Sequence, residues 1–200
     1  ATLAAAFRKL EFKALSERLN LGAADEALEH QTAETASRYE VVQVDKDGWD
    51  GLYGALADAE ALLVDAAGDN PHQSEGIGLA IAAGSTCYVV PYAALPGAEA
   101  EKLREWLADA GTPKTSYDLH RVDLVLARSG IKLQGHSFDV QLAAYLLDPT
   151  EADPSLHGLL QRYGLDPIPS DEAAYGKGAK FRVPAADELA KHLAAKADAV

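Results

Sequence analysis

The stretch ALLVDAAGDNPHQSEGIGLAIAAGSTCYVVP, residues 61–91, contains three short apolar runs that are separated by turn residues. The runs cover residues 61–65, 76–82 and 86–91. Apolar runs of this length between clusters of turn-forming residues are typical of buried strands. We therefore predict three consecutive, antiparallel strands in a buried sheet.

The rest of the chain alternates between strand and helix patterns. Weak alternation predicts a short edge strand at residues 40–44, and Lys114 to Tyr117 has the pattern of another strand. Beyond residue 39, helical periodicity is present in five segments: 48–59, 97–110, 119–128, 138–147 and 184–200. The segment 138–147 (FDVQLAAYLL) is apolar nearly all round, which predicts a helix buried in the core. This order of elements favours an α/β layer fold with a mixed sheet.

Composition excludes several classes of function. The chain has 18 Lys and Arg against 31 Asp and Glu, a net charge of −13, so its averaged field repels nucleic-acid phosphates. Its single cysteine, Cys87, lies in an apolar run and is interpreted as a buried small hydrophobe. No apolar run is long enough to span a bilayer, so we expect a cytoplasmic protein without a membrane partner.

The domain organisation is predicted from changes in pattern. Residues 1–21 carry an amphipathic helix, residues 22–38 are small and polar like a linker, and a compact domain is expected over residues 39–200. The sequence contains no Met, and its last helical pattern reaches Val200 without a stop signal. We therefore expect the chain to be a piece of a longer protein.

Most common chemical motifs are absent from the sequence. Gly76-x-Gly78 lacks the third glycine of a dinucleotide loop and is interpreted as a pair of strand glycines. YGKGAK, residues 175–180, lacks the spacing of a P-loop and is interpreted as a flexible loop. Asp118 is interpreted as the cap of a helix start. The remaining possibility is a carboxylate site for two metal ions, which needs several acids from different elements.

Three segments carry a resemblance to a known family. They are GIKLQGHSFD (130–139), LAAYLLDP (142–149) and YGKGAK (175–180), in this order. Residues 39–200 resemble the 3′–5′ exonuclease domain of bacterial family A DNA polymerase I, and FRKLEFKALSERL (7–19) resembles the segment that follows the 5′-nuclease domain in that family. The resemblance implies a ribonuclease-H-like fold, with a mixed central sheet flanked by helices.

Proofreading members of that family carry an acid-x-acid pair on the first core strand. Counted without gaps, the pair falls on Leu63 and Asp65; a slip of two residues places it on Asp65 and Ala67. In either register only one carboxylate is present.

The two helical motifs of the family are also altered. The family's helix Asp falls on Val122, and Asp118 occupies the position of the usual Asn. The Tyr and Asp of the last helix fall on His192 and Lys196. A single carboxylate and a lysine ammonium do not suit a pair of divalent ions. We therefore expect no bound metal, no other cofactor and no catalytic residue: a vestigial exonuclease domain.

A sharper hypothesis concerns what occupies the altered site. If Asp65 and Lys196 face each other, the lysine replaces part of the charge that metal would supply, and Leu63 and Val122 fill the remaining volume. The alternative is that Lys196 is a solvated lysine on the surface of a helix.

Three functions follow from the sequence. The first is a non-catalytic support for the polymerase domain of the same parent chain, which would itself be a DNA-directed DNA polymerase. In this case DNA is bound through the parent enzyme, and weakly or not at all by this piece. The second is an active nuclease with a shifted set of carboxylates, namely Asp65, Asp118, Asp123 and Asp198. The third is an acidic module that binds another protein.

Overall fold

The computed structural model describes residues 39–45, 48–68, 72–150 and 153–200, apart from the side chain of Ala179. The predicted N-terminal helix (1–21) and linker (22–38) lie outside the described residues. The described strands are β1 Glu40–Gln43, β2 Ala59–Ala67, β3 Glu75–Ala83, β4 Thr86–Pro91, β5 Lys114–Ser116 and β6 His136–Asp139.

The α-helices in the same part of the chain are α1 Trp49–Ala55, α2 Glu101–Ala108, α3 Leu119–Arg128, α4 Val140–Leu147, α5 Leu156–Tyr163, α6 Asp171–Tyr175 and α7 Ala186–Asp198. Five of them lie within the predicted helical segments, whereas α5 and α6 were not predicted. None of these helices is long and apolar enough to cross a membrane.

The sheet has the strand order β1-β4-β3-β2. Strands β2, β3 and β4 are consecutive and antiparallel, which confirms the prediction made from residues 61–91. Strand β1 lies at the edge, as predicted, and pairs in parallel with β4. Strands β5 and β6 form a second, parallel pair, and β5 contacts β2. The sheet is therefore mixed, and the fold is α/β.

The sheet separates two apolar clusters. Successive side chains of a strand point to opposite faces, and β2 accordingly contributes Leu62 and Val64 to one cluster and Leu63 to the other. The second cluster also contains Leu193 of α7, which covers this face of the sheet. Alternation along β2 places Asp65 on the same face as Leu63, beneath α7.

The glycines of β3 permit this packing. A Cβ atom built on Gly78 would lie 2.8 Å from Cδ1 of Leu193 and 3.3 Å from the carbonyl oxygen of Val90. A Cβ atom on Gly76 would lie within 2.4 Å of three ring atoms of Tyr92. Both glycines are thus required by close packing, which supports their interpretation as structural strand residues.

One element differs from its prediction. The predicted helix 138–147 begins two residues later, at Val140, because Phe138 belongs to β6. The prediction that it is buried in the core is wrong: none of its residues is buried, and Leu146 and Leu147 are 75% and 76% exposed. An apolar pattern indicates that a helix face avoids water, but it does not indicate which surface covers that face.

We expect the substitution Gly78→Val to destabilise the domain by about 1–3 kcal/mol, because the added side chain must displace Leu193 of α7. Urea unfolding monitored by circular dichroism measures the change. Gly54→Ala is the matched control: Gly54 lies in α1 with open space around it, so this variant should be more stable by about 0.5–1 kcal/mol. Equal stability of Gly78→Val and the parent chain would contradict the close approach of α7.

Candidate functional site

A buried ion pair joins β2 to α7. Nζ of Lys196 lies 2.9 Å from Oδ2 of Asp65, and the two side chains are only 7% and 10% exposed. The other carboxylate oxygen of Asp65 accepts a hydrogen bond from the backbone N–H of Ala66 at 3.1 Å. The structure therefore pairs the two residues as hypothesised, and the alternative of a solvated Lys196 is wrong.

A second carboxylate, Asp171, also contacts the lysine. Nζ of Lys196 lies 2.8 and 3.1 Å from the two oxygens of Asp171, and Nε2 of His192 lies 3.0 Å from one of them. Asp171 is the first residue of α6, where Ser170 accepts the cap hydrogen bond from Ala173. Asp171 was not predicted from the sequence, because an acid after a Ser at a helix start is ordinarily explained by capping and by the helix dipole.

Tyr175 closes the site from the far end of α6. Its hydroxyl donates a hydrogen bond of 2.6 Å to Oδ2 of Asp65, and its ring packs edge-on against His192 with centroids 5.2 Å apart. Gly176, with φ of +76°, turns the chain after the helix, and the backbone N–H of Arg182 donates to the Tyr175 carbonyl at 2.8 Å. The interpretation of residues 175–180 as a flexible loop is therefore wrong for Tyr175, which is buried.

The polar side chains of this site form one cluster, namely Asp65, Asp171, Tyr175, His192 and Lys196. Contacts within the cluster set the protonation state of several members. Burial alone would lower the pKa of Lys196, but the Asp65 and Asp171 carboxylates outweigh it and raise that pKa. Burial acts to raise the pKa of Asp171, yet the hydrogen bond from His192 and the charge of Lys196 lower it overall. Burial and the Asp65 carboxylate raise the pKa of Tyr175. At neutral pH the cluster thus contains an ammonium, an ionised Asp171 and a neutral phenol.

The remaining predicted positions lie in different surroundings. Leu63 is buried on the α7 face of the sheet, near the ion pair. Val122 is also buried, but in the cluster on the opposite face, with Leu62 and Val64. The prediction that Val122 and Leu63 together fill the pocket is therefore wrong for Val122. Tyr175 occupies the space beside Asp65 instead.

Asp118 is the N-cap of α3, as predicted, and accepts a hydrogen bond from the backbone N–H of Arg121 at 3.0 Å. Its own N–H donates to Asp139, which also accepts from the N–H groups of Leu119, Gln141 and Leu142. Asp139 was not predicted from the sequence. Through these hydrogen bonds, Asp139 joins the start of α3 to the start of α4.

Three side chains in the described part of the chain could together hold a metal ion: Asp65, Asp171 and His192. Their ligand atoms lie within 4.8 Å of one another, and the group includes neither Asp118, Asp123 nor Asp198. The carboxylates of the group are already bridged by the ammonium of Lys196. The donor set fits a divalent ion only if that ammonium leaves.

A cavity of about 240 Å³ borders the cluster on the side of α5 and α6. Its lining includes Tyr117, His157, Ser170, Asp171 and Lys196. Pockets that hold small organic ligands usually measure about 300–1,000 Å³. The cavity is therefore small for a nucleotide.

The mixed sheet with helices packed against it is an α/β fold, as the resemblance implies. The family described as "DNA polymerase I, ribonuclease H-like domain" matches residues 62–200. The chain therefore belongs to that family.

The relatives agree with this assignment. The chain is 34% identical to DNA polymerase I of Bacillus subtilis over 98% of its own length, and 40% identical to that of Geobacillus stearothermophilus over 72%. It spans 21% and 16%, respectively, of the length of those two proteins. Among solved structures, Trypanosoma brucei RNase D matches with a TM-score of 0.60 at 15% identity, over 82% of this chain and 62% of that one. This last likeness concerns the fold alone.

We expect Lys196→Met to destabilise the domain by about 3–5 kcal/mol, because it leaves the buried Asp65 carboxylate without its cation. Urea unfolding at pH 7 measures the effect. The double variant Lys196→Met with Asp65→Asn should recover most of the loss, since no buried charge is left unpaired: the carboxylate that remains, Asp171, is 58% exposed and keeps its contact with His192. Lys191→Met, on an exposed position of α7, is the matched control. A loss no larger than that of the control would show that the pair contributes nothing.

We expect Asp171→Asn to lower the melting temperature at pH 7. The pKa of Asp171 is lowered in the folded state, so its stabilising effect is present above the unfolded pKa of about 3.9 and is lost as the pH falls below that value. Melting curves between pH 7 and pH 2 should therefore converge for the parent chain and the variant.

Glu172→Gln is the control for this experiment. It removes the partner of Lys177 in an ion pair whose two side chains are both mostly exposed, so its effect should be small throughout the pH range. A difference between Asp171→Asn and the parent chain that persists unchanged at low pH would contradict the assigned role of Asp171.

Proposed function

We propose that the chain is a vestigial 3′–5′ exonuclease domain that supports the polymerase domain of a family A DNA polymerase and performs no catalysis itself. The observation that carries the proposal is the position of the Lys196 ammonium, hydrogen-bonded to both carboxylates of the candidate metal group. The family resemblance of the sequence supports the proposal, because Lys196 is expected at the position where proofreading members have a metal-binding Asp.

The electrostatics of the cluster support this proposal. Nuclease chemistry on two metal ions needs an anionic site for a formal charge of about +4, which lowers the pKa of a bound water and stabilises the leaving oxygen. Here two carboxylates are already partly neutralised by one ammonium. A divalent ion about 4 Å from that ammonium would experience a repulsion of about 8 kcal/mol at an effective dielectric constant of 20.

No other group of the cluster supplies a replacement for metal chemistry. The Tyr175 hydroxyl donates a hydrogen bond to Asp65, and its pKa is raised. The hydroxyl therefore stays protonated at neutral pH and cannot serve as a base. The single cysteine, Cys87, is buried with its pKa raised to about 12, mainly by burial, and it is a poor nucleophile. These properties favour a structural domain over an active nuclease.

The supporting role rests on the length of the relatives. The curated relatives are DNA polymerases about five times the length of this chain. Its net charge of −13 opposes DNA binding by the domain alone. In the proposed parent enzyme, DNA binding and synthesis therefore belong to the polymerase domain.

The test combines metal uptake with nuclease activity. We expect calorimetric titration of Mg²⁺ or Mn²⁺ into the 200-residue chain to detect no stoichiometric binding, and we expect labelled single-stranded DNA to keep its 3′ nucleotides. Lys196→Ala should gain measurable Mn²⁺ binding, because the substitution leaves Asp65, Asp171 and His192 without the competing ammonium. Lys191→Ala, which changes an exposed lysine of the same helix, should not.

Stoichiometric metal uptake by the unaltered chain, together with stepwise loss of 3′ nucleotides, would overturn the proposal. That result would favour the alternative of an active nuclease. Failure of Lys196→Ala to bind Mn²⁺ would show that the ammonium is not what excludes the ion.

A further inference from the structure

The surface of α4 is unusual for a helix of a charged, compact domain. Five large apolar side chains within ten residues are each between 51% and 76% exposed, and we name them the α4 surface: Phe138, Leu142, Tyr145, Leu146 and Leu147. They are five of the nine large apolar side chains that are exposed in the described ranges. Concentrated apolar exposure of this kind marks interaction surfaces, whereas single exposed apolar residues are ordinary.

The large apolar side chains of α4 face outward, whereas those of a core helix face inward. Leu142, Tyr145 and Leu146 share one face by their spacing of three and four residues, and that face is the exposed one. The small residues Ala143 and Ala144 are less exposed than these three. The helix thus directs its large side chains away from its own domain.

Interactions at both ends hold α4 in this orientation. At its start, Asp139 accepts hydrogen bonds from the backbone N–H groups of Gln141 and Leu142, at 2.9 and 3.1 Å. At its end, Asp148 forms an ion pair with Arg162 of α5. The helix is therefore formed and anchored without burial of its apolar face, as expected of a preformed docking surface.

We propose that the α4 surface docks against the polymerase domain of the same polypeptide. This inference rests on the proposed function, because it requires that the domain be carried by a polymerase. Its partner would present an apolar hollow for Leu146 and Leu147, with a polar rim that reaches the Tyr145 hydroxyl.

The size of the surface favours a covalently linked partner. A stable complex of separate proteins typically uses about 20–30 residues on each side, whereas the α4 surface has five large side chains. Linkage within one chain raises the effective concentration to the millimolar range, so a small apolar contact is sufficient. The relatives, of which this chain spans about a fifth, have room for such a partner.

Charge disfavours a second copy of this chain as the partner. Each copy carries a net charge of −13, so two copies repel each other at low ionic strength.

The experiment measures the accessibility of the α4 surface by cysteine labelling. The variant Leu146→Cys is reacted with a maleimide, once in the 200-residue chain and once in the complete polymerase that carries it, and labelling of the peptide is quantified by mass spectrometry. Cys87 contributes little background, because it is buried and its pKa is raised to about 12. Val183→Cys is the matched control, since Val183 is 49% exposed and lies outside the α4 surface.

We expect labelling at position 146 to be at least tenfold slower in the complete polymerase than in the 200-residue chain, with little change at position 183. Equal rates at position 146 in the two proteins, or equal slowing at both positions, would overturn the docking proposal. Labelling at position 146 that slows in the 200-residue chain as its concentration increases would assign the surface to a second copy, and would also overturn it. None of these outcomes depends on metal uptake or nuclease activity, so failure here is distinguishable from failure of the proposed function.

Discussion

The structure depends on one buried contact, the ammonium of Lys196 between the carboxylates of Asp65 and Asp171. It joins strand β2 to α6 and α7, two helices that follow β2 by more than 100 residues in the chain. Burial of Lys196 or Asp65 without the other is costly, so β2 and α7 restrict each other's position, and Asp171, whose side chain is 58% exposed, adds a contact from α6. Tyr175 completes the arrangement, because its hydroxyl satisfies the same oxygen of Asp65 that faces the lysine.

This arrangement opposes the requirements of a metal site. A metal centre keeps several anionic oxygens directed at a space that an external cation fills. In this domain the cation is part of the chain, and its hydrogen bonds to both carboxylates stabilise the fold. The same contacts connect the sheet to its covering helices. Under the proposed function, internal pairing and weak metal binding have a common physical cause.

The cluster around Asp65 and the α4 surface differ in how their side chains are covered. The residues around Asp65 satisfy one another, whereas the large side chains of α4 contact solvent. Under the two proposals, the cluster contributes to the stability of this domain, while the α4 surface contacts a neighbouring domain. Gly78 belongs to the first of these tasks, because its missing side chain lets α7 approach the sheet closely enough for Lys196 to reach Asp65.

The sequence by itself determined the three antiparallel strands, the bounds of α3, the single carboxylate at the acid-x-acid positions of β2 and the place of Lys196 in the last helix. Strand and helix periods and short motifs are local properties, so they can be read without knowledge of the packing. Only the tertiary structure decided that Tyr175 contacts Asp65, because these two residues are 110 positions apart in the chain. It likewise decided that Asp171 shares Lys196 with Asp65. It also decided that Val122 packs on the far side of the sheet and that α4 faces outward. The physical reason is that an apolar stripe has the same period whether its own core or another domain covers it.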